Sequence, residues 1–166
     1  MADLAELEAR IRVLESIEEI KKLKAKYFRC LDKKLWSELE DVFAENAIGE
    51  GPYGGPFKGN KAIVQFISKN LGSDSVITAH GGHNPEIEIT SDTTAKAIWA
   101  LEDYVSFGRN RKFIGYGHYE DEYIKEKGEW KIKRQRLTRI IEEWTIIKHP
   151  GTSAAKDKAG SAQGDR

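Results

Sequence analysis

The chain has 166 residues, about the length of one domain. Lys plus Arg and Asp plus Glu are both 27, so the formal net charge is zero, which argues against a nucleic-acid or membrane-surface protein with its usual basic excess. Four Trp, six Tyr and six Phe supply bulk for one sizeable core, and the lone cysteine, Cys30, excludes a disulfide within this chain and a cysteine-based zinc site.

The opening MADLAELEAR alternates charge and lacks the apolar core of a signal peptide, and no apolar run approaches the length of a membrane span. A cytoplasmic location is the expectation. Leu4, Leu7, Ile11 and Leu14 recur at helical spacing. Ser16 and Glu19 read as a capping box, so residues 16 onward are expected to begin a second helix, or to continue one bent helix. That helix carries Ile17, Ile20, Leu23, Phe28 and Leu31 inward. The first segment, residues 1–15, is too short for a coiled coil and is expected to pack on the domain or on a neighbouring subunit.

A short helix is predicted over Leu35 to Phe43. Gly49 to Gly59, with five glycines, Pro52 and Pro56, reads as a loop or broken edge strand bearing Tyr53 and Phe57. Asn60 is a candidate N-cap for a helix ending near Gly72. The rest reads as strands: Val76 to His80, Ile87 to Thr90, Thr94 to Phe107, Phe113 to Lys125 and Trp130 to Trp144. Helices followed by long strands and short turns predict an α+β fold, a curved antiparallel sheet wrapped around the N-terminal helices as a cone-shaped barrel with one open pocket. The domain spans residues 16–148. Residues 149–166 are Gly-, Ser-, Ala- and Lys-rich and are expected to be a disordered tail.

Strand alternation puts Ala95, Ala97, Trp99, Leu101, Asp103, Val105 and Phe107 on one face. Asp103 is the single carboxylate in that apolar row. It is a pocket-lining acid, a residue turned outward by a bulge, or half of a structural ion pair. Arg139, between Leu137 and Ile141, is its candidate partner. Tyr27 and Asp32 stand roughly 140° apart around an ideal helix, so both reach one cavity only if the helix unwinds at Asp32. Tyr27 also reads as a core residue and Asp32 as an N-cap of the next helix. His80 and His83 would face opposite sides of an extended segment, which disfavours a shared metal. One neutral imidazole with an Asp on its second nitrogen suits proton transfer. His118 and His149 have no such support. No nucleophile-elbow, phosphate-loop or dinucleotide fingerprint occurs, and Gly115-Tyr116-Gly117 is too short to be one.

The run Lys26-Tyr27-Phe28-Arg29-Cys30-Leu31-Asp32 through Glu40 resembles the SnoaL-like branch of the nuclear transport factor two-like superfamily. So do His80-Gly-Gly-His83-Asn-Pro-Glu-Ile, Thr93-Thr94-Ala95, Trp99, Leu101-Glu102-Asp103, Gly128-Glu-Trp130 and Arg139-Ile-Ile-Glu142-Glu143. Within it the chain is most similar to the bile acid 7-alpha-dehydratases, and more distantly to scytalone dehydratase and hexachlorocyclohexane dehydrochlorinase. The blocks run in order from Ser16 to Trp144. The resemblance implies a pocket tyrosine at Tyr27, an Asp–His dyad at Asp32 and His80, and further polar pocket residues at Asp103 and Arg139. Tyr53, Trp99 and Tyr116 are the expected substrate-binding aromatics. The implied reaction is elimination: His80 takes a proton beside a carbonyl, and a hydroxyl or similar group leaves with acid assistance. His83 is the alternative base. No metal or organic cofactor is implied, and the implied partners are a hydrophobic ring substrate such as a steroid or terpenoid and two further copies in a homotrimer. Two other functions fit the same fold: a non-catalytic assembly subunit like the small subunit of ring-hydroxylating dioxygenases, and an isomerase.

Overall fold

The computed structural model describes residues 3–146, so the expected tail, the boundary at residue 148 and His149 lie outside the described residues. Helix α1 runs unbroken from Leu4 to Asp32, its N-terminus capped by the Asp3 carboxylate, which accepts from the Glu6 amide at 2.8 Å. Of the two expected forms, a second helix starting at Ser16 is absent. No Gly or Pro interrupts residues 4–32, and the segment is dominated by good helix formers, so a local cap signal cannot compete with continued hydrogen bonding. The first four turns extend beyond the domain: Leu4, Leu7, Ile11, Val13 and Leu14 are all exposed. The C-terminal half buries Ile20, Lys24, Tyr27, Phe28, Cys30 and Leu31.

Helix α2 (Trp36–Glu40) is shorter than expected, and α3 (Asn60–Leu71) ends where Gly72 predicts. Gly59 rather than Asn60 occupies the N-cap of α3. Six strands follow the order β2-β1-β6-β5-β4-β3, with β1 Phe43–Gly51, β2 Gly54–Lys58, β3 Val76–Ser91, β4 Thr94–Phe107, β5 Arg111–Glu126 and β6 Glu129–Ile146. The α+β architecture and the cone are as expected. One correction applies to the sheet: it is mixed, because β1 pairs parallel with β6. The glycine-rich stretch takes the second of its two expected forms, a broken edge strand: it forms the hairpin of β1 with the edge strand β2, with Tyr53 at its turn and an irregularity between Gly49 and Gly51.

The core forms where α1 and α3 cover the inner face of the sheet. Ala95, Ala97, Trp99, Leu101, Asp103 and Val105 are all buried, which fits the alternation expected of β4. Gly82 permits this packing: a Cβ there would stand 2.6 Å from the Phe28 ring. Toward one end of the core, fully buried Lys24 donates to Asp121 at 2.7 Å and lies over the Tyr119 ring at 3.8 Å. Tyr123 donates to the same carboxylate at 2.6 Å and accepts from the Trp99 indole at 3.0 Å. Burial pulls the Lys24 ammonium below its usual range, against the opposing pull of Asp121. A charge this deep persists because it is paired and hydrogen-bonded.

Candidate active site

An open cavity of about 400 Å³ lies between α1, α3, the β1–β2 hairpin and the inner face of β4–β6. Apolar side chains dominate its wall, among them Leu31, Ile63, Phe66, Val105, Phe113 and Leu137. The volume falls in the range of about 300–1,000 Å³ common for small-molecule sites.

Four of the five expected catalytic residues line this cavity: Tyr27, His80, Asp103 and Arg139. The fifth, Asp32, stands behind His80. It is the last residue of α1, and its carboxylate faces β3 rather than capping α2, whose N-cap is Leu35. One oxygen accepts from Thr78 Oγ1 at 2.8 Å and lies 2.7 Å from His80 Nδ1; the other accepts from the His80 amide at 3.0 Å. Burial raises the Asp32 carboxyl, but the His80 and Thr78 hydrogen bonds outweigh it and hold the group below its ordinary range. An ionised Asp32 places the proton of neutral His80 on Nδ1. Nε2 is left as a free base, 3.9 Å from Asp103 Oδ2. The His80 side chain is only 6% exposed. His83 points the other way, with its ring beside Glu102 and 56% exposed.

Asp103 and Arg139 form a bidentate pair, with Nη1 to Oδ1 at 2.9 Å and Nη2 to Oδ2 at 2.6 Å. Burial lowers the Arg139 guanidinium, but the Asp103 hydrogen bonds and charge prevail and raise it overall. Gly115, the cross-strand neighbour of Asp103, makes the room. A Cβ there would stand 2.4 Å from Asp103 Oδ1 and 2.5 Å from Arg139 Nη1. Tyr27 packs edge-on against Phe28, Phe43 and Tyr119. It is therefore both a core residue and a cavity residue. Burial raises its phenol well above the usual range, and the charges of Asp121, Asp103 and Asp32 act in the same direction. It stays protonated and can donate.

The expected substrate-binding aromatics divide. Tyr53 lines the cavity from the hairpin turn; its hydroxyl accepts from Arg139 Nε at 3.0 Å and donates to Glu142 at 2.5 Å. Trp99 does not line it. It lies on the inner face of β4 but four residues from Asp103, where its indole joins the Tyr123–Asp121 network in the core. Tyr116 is on the outer face, because only odd-numbered residues of this part of β5 point inward, and it is 39% exposed.

Glu142 was not anticipated. Strand β6 slips against β5 between the pairs Gly117–Arg139 and Tyr116–Ile141, which leaves Ile140 as an extra, bulged residue. The bulge inverts the facing pattern beyond it. Ile141, expected beside Leu137 and Arg139, turns outward and is 47% exposed, while Glu142 and Trp144 turn to the cavity side. Gln135, buried on the cavity wall, was also missed; its Nε2 has no partner among the described residues. The glycines Gly115 and Gly117 were the available signal, since glycine inside a strand marks close backbone approach or a bulge. Among the described residues, no group of three or more His, Cys, Asp or Glu converges as a metal site would need. No described helix is long and apolar enough to cross a membrane.

A family model described as a SnoaL-like domain matches residues 12–136. Several solved structures share the fold. A provisionally assigned scytalone dehydratase from Novosphingobium aromaticivorans is 24% identical, with 81% of this chain and 90% of that chain covered and a TM-score of 0.75. The LinA-type3 hexachlorocyclohexane dehydrochlorinase from Novosphingobium barchaimii is 18% identical, covering 83% and 94%, with a TM-score of 0.72. An NTF2-like protein with a cystatin-like fold from Novosphingobium aromaticivorans is 24% identical, covering 84% and 92%, with a TM-score of 0.66. At these identities the likeness is one of fold.

Proposed function

The chain belongs to the SnoaL-like domain family, and from that premise we propose that it is a cofactor-independent carbon–oxygen lyase acting on a hydrophobic, hydroxylated ring substrate such as a steroid or terpenoid. The observation that carries this reading is the 2.7 Å contact of Asp32 with His80 Nδ1, which leaves Nε2 free at the wall of an apolar cavity. It supports His80, rather than the exposed His83, as the proposed base.

The residues take these roles. His80 Nε2 accepts the proton from the carbon beside a substrate carbonyl, and Asp32 stabilises the imidazolium that forms. The electron pair passes to the carbonyl oxygen as an enolate, toward which the protonated Tyr27 phenol donates. The enolate then re-forms the carbonyl, a carbon–carbon double bond forms, and the bond to the hydroxyl on the next carbon breaks. The His80 proton goes to that hydroxyl, which leaves as water. Asp103 and Arg139, locked together, are a fixed polar wall against which the departing oxygen is oriented. Fold alone does not fix activity, and an isomerase could use the same base. The lyase reading is favoured over the scaffold reading because a scaffold has no use for a buried imidazole braced by a carboxylate.

The apolar residues exposed along α1 and on the outer sheet face, such as Ile77, Ile140 and Ile141, support self-association, and a homotrimer is the proposed assembly. The deciding experiment incubates the protein with a panel of cyclic β-hydroxy ketones and follows products by mass spectrometry. Loss of one water from a panel member, absent in His80→Ala, is expected. An isomer of unchanged mass would identify the isomerase instead. Turnover that survives His80→Ala would reject the assignment of the base.

A further inference from the structure

We infer that Lys24 is a positioning residue for the proposed reaction: its buried ammonium backs the Tyr27 ring from behind the cavity wall and strengthens the phenol as a donor to the developing enolate. The inference rests on the donor role proposed for Tyr27 and adds the group that tunes it.

Lys24 lies three residues before Tyr27 on α1, close to one helical turn, and is fully buried. Tyr27 and Tyr119 line the cavity; Lys24 lies behind them. Its Nζ is 4.8 Å from the centroid of the Tyr27 ring and 3.8 Å from that of Tyr119. Phe28, at 5.4 Å, and Trp99, at 6.0 Å, complete an aromatic cage. At these distances a cation is drawn to the negative face of a ring.

Stability does not account for the arrangement. A buried ion pair can often be replaced by apolar side chains of similar volume without loss. Here Lys24 gives up its water for one carboxylate oxygen, Asp121 Oδ2 at 2.7 Å, while Oδ1 has no partner among the described residues. The pair is also oriented. Tyr123 anchors the carboxylate from β5 at 2.6 Å, and the ammonium is the pole that meets the rings.

The electrostatics at Tyr27 give that ammonium a task. The charges of Asp121, Asp103 and Asp32 all oppose negative charge on the phenol. A phenol that donates to an enolate takes on part of the enolate's charge. Among the described residues, Lys24 is the only cation over the Tyr27 ring. An opposite charge within about 4–6 Å favours the charged form of a group, and more so away from water. The ammonium therefore offsets the three carboxylates at the moment the phenol is needed as a donor.

The test titrates the full chain with 4-nitrophenolate, an oxyanion that mimics the enolate, and with 4-nitrotoluene, its neutral counterpart, at mildly alkaline pH. Wild type should prefer the phenolate. With Lys24→Met and Asp121→Leu together, that preference should fall by about tenfold while 4-nitrotoluene affinity stays within about twofold. The absorption band of the bound phenolate should move to longer wavelength, as its oxygen accepts a weaker hydrogen bond. In a Tyr27→Phe background the same two substitutions should change nothing further. The neutral polar pair Lys24→Gln with Asp121→Asn should behave like the apolar pair. An unchanged preference and band in a folded paired variant, or an equal fall in the Tyr27→Phe background, would overturn the inference and leave the donor role of Tyr27 standing. A preference that Tyr27→Phe alone does not reduce would overturn that donor role, and the inference with it. Failure of both paired variants to fold would assign Lys24 to the fold alone and overturn the inference too.

Discussion

His80 Nδ1 stands 2.7 Å from Asp32 Oδ1, although the two residues are 48 positions apart in the chain. The end of α1 and the first half of β3 are tied at this point by three hydrogen bonds to one carboxylate. Asp32→Asn keeps the shape and removes the charge. The proposed reaction should slow by about a hundredfold or more, because the imidazole tautomer and the stability of the imidazolium both depend on that charge. The same carboxylate carries a pH signature. Its folded-state pKa is lowered from 3.8, so its contribution to stability is present above that value and is lost as pH falls through the lower folded value. Urea unfolding of wild type and Asp32→Asn across the acid range should show a stability gap that closes below about pH 4.

Gly115→Ala tests the packing behind the ion pair. The added methyl would meet Asp103 Oδ1 at 2.4 Å and the Arg139 guanidinium at 2.5 Å. The pair must part or the strand must shift, at a cost of about 1–3 kcal/mol. Thermal unfolding should register the loss, and turnover should fall with it. An alanine variant as stable and active as wild type would show that the pair has room to spare.

The rim makes a separable prediction. Tyr53 joins the hairpin turn to β6 through Arg139 and Glu142, and its phenol, pushed up to about 12 by burial and Glu142, remains a donor. Tyr53→Phe and Glu142→Gln should each raise KM several-fold with a smaller effect on kcat, since neither touches the proposed base. Deleting Ile140 should do less. The pairs Tyr116–Ile141, Gly115–Glu142 and Phe113–Trp144 carry over without the bulged residue and leave Glu142 and Trp144 on the cavity side, so steady-state kinetics of that variant should show a smaller rise in KM than either point substitution.

The buried Lys24–Asp121 pair predicts an asymmetric double-mutant cycle. Lys24→Met alone strands a buried carboxylate and should cost about 3–5 kcal/mol. Combining it with Asp121→Leu removes the stranded charge, leaving Tyr123 with one hydrogen bond fewer. Chemical denaturation should find the double variant more stable than Lys24→Met. Additive losses would mean that the two charges do not depend on each other.

The parts of this architecture that follow local rules were legible in the sequence. The inner face of β4 was read residue by residue because strict alternation needs no knowledge of neighbours, and Asp103 was conspicuous in it. Its pairing with Arg139 followed from the same logic. What depended on a partner strand was not legible. The bulge at Ile140 exists only relative to β5, so Ile141 was assigned inward and Glu142 was overlooked. Strand β1 was missed because its parallel partner, β6, lies almost ninety positions away and its own residues include glycine and exposed polar groups. Ser16 misled in the opposite sense: a valid cap motif was overridden by a helix with no breaker. Aromatic character alone does not place Trp99 and Tyr116, because strand position and parity decide which aromatics a cavity sees.

Hydrogen–deuterium exchange at the carbon beside the carbonyl of a bound cyclic β-hydroxy ketone, followed in deuterated water by mass spectrometry, tests the central claim most directly. It isolates proton removal from departure of the hydroxyl. Wild-type protein should exchange or eliminate that hydrogen at least about a hundredfold faster than His80→Ala, with His83→Ala close to wild type. Equal rates for wild type and His80→Ala would contradict the account, because the imidazole at the cavity wall would then not be handling the proton.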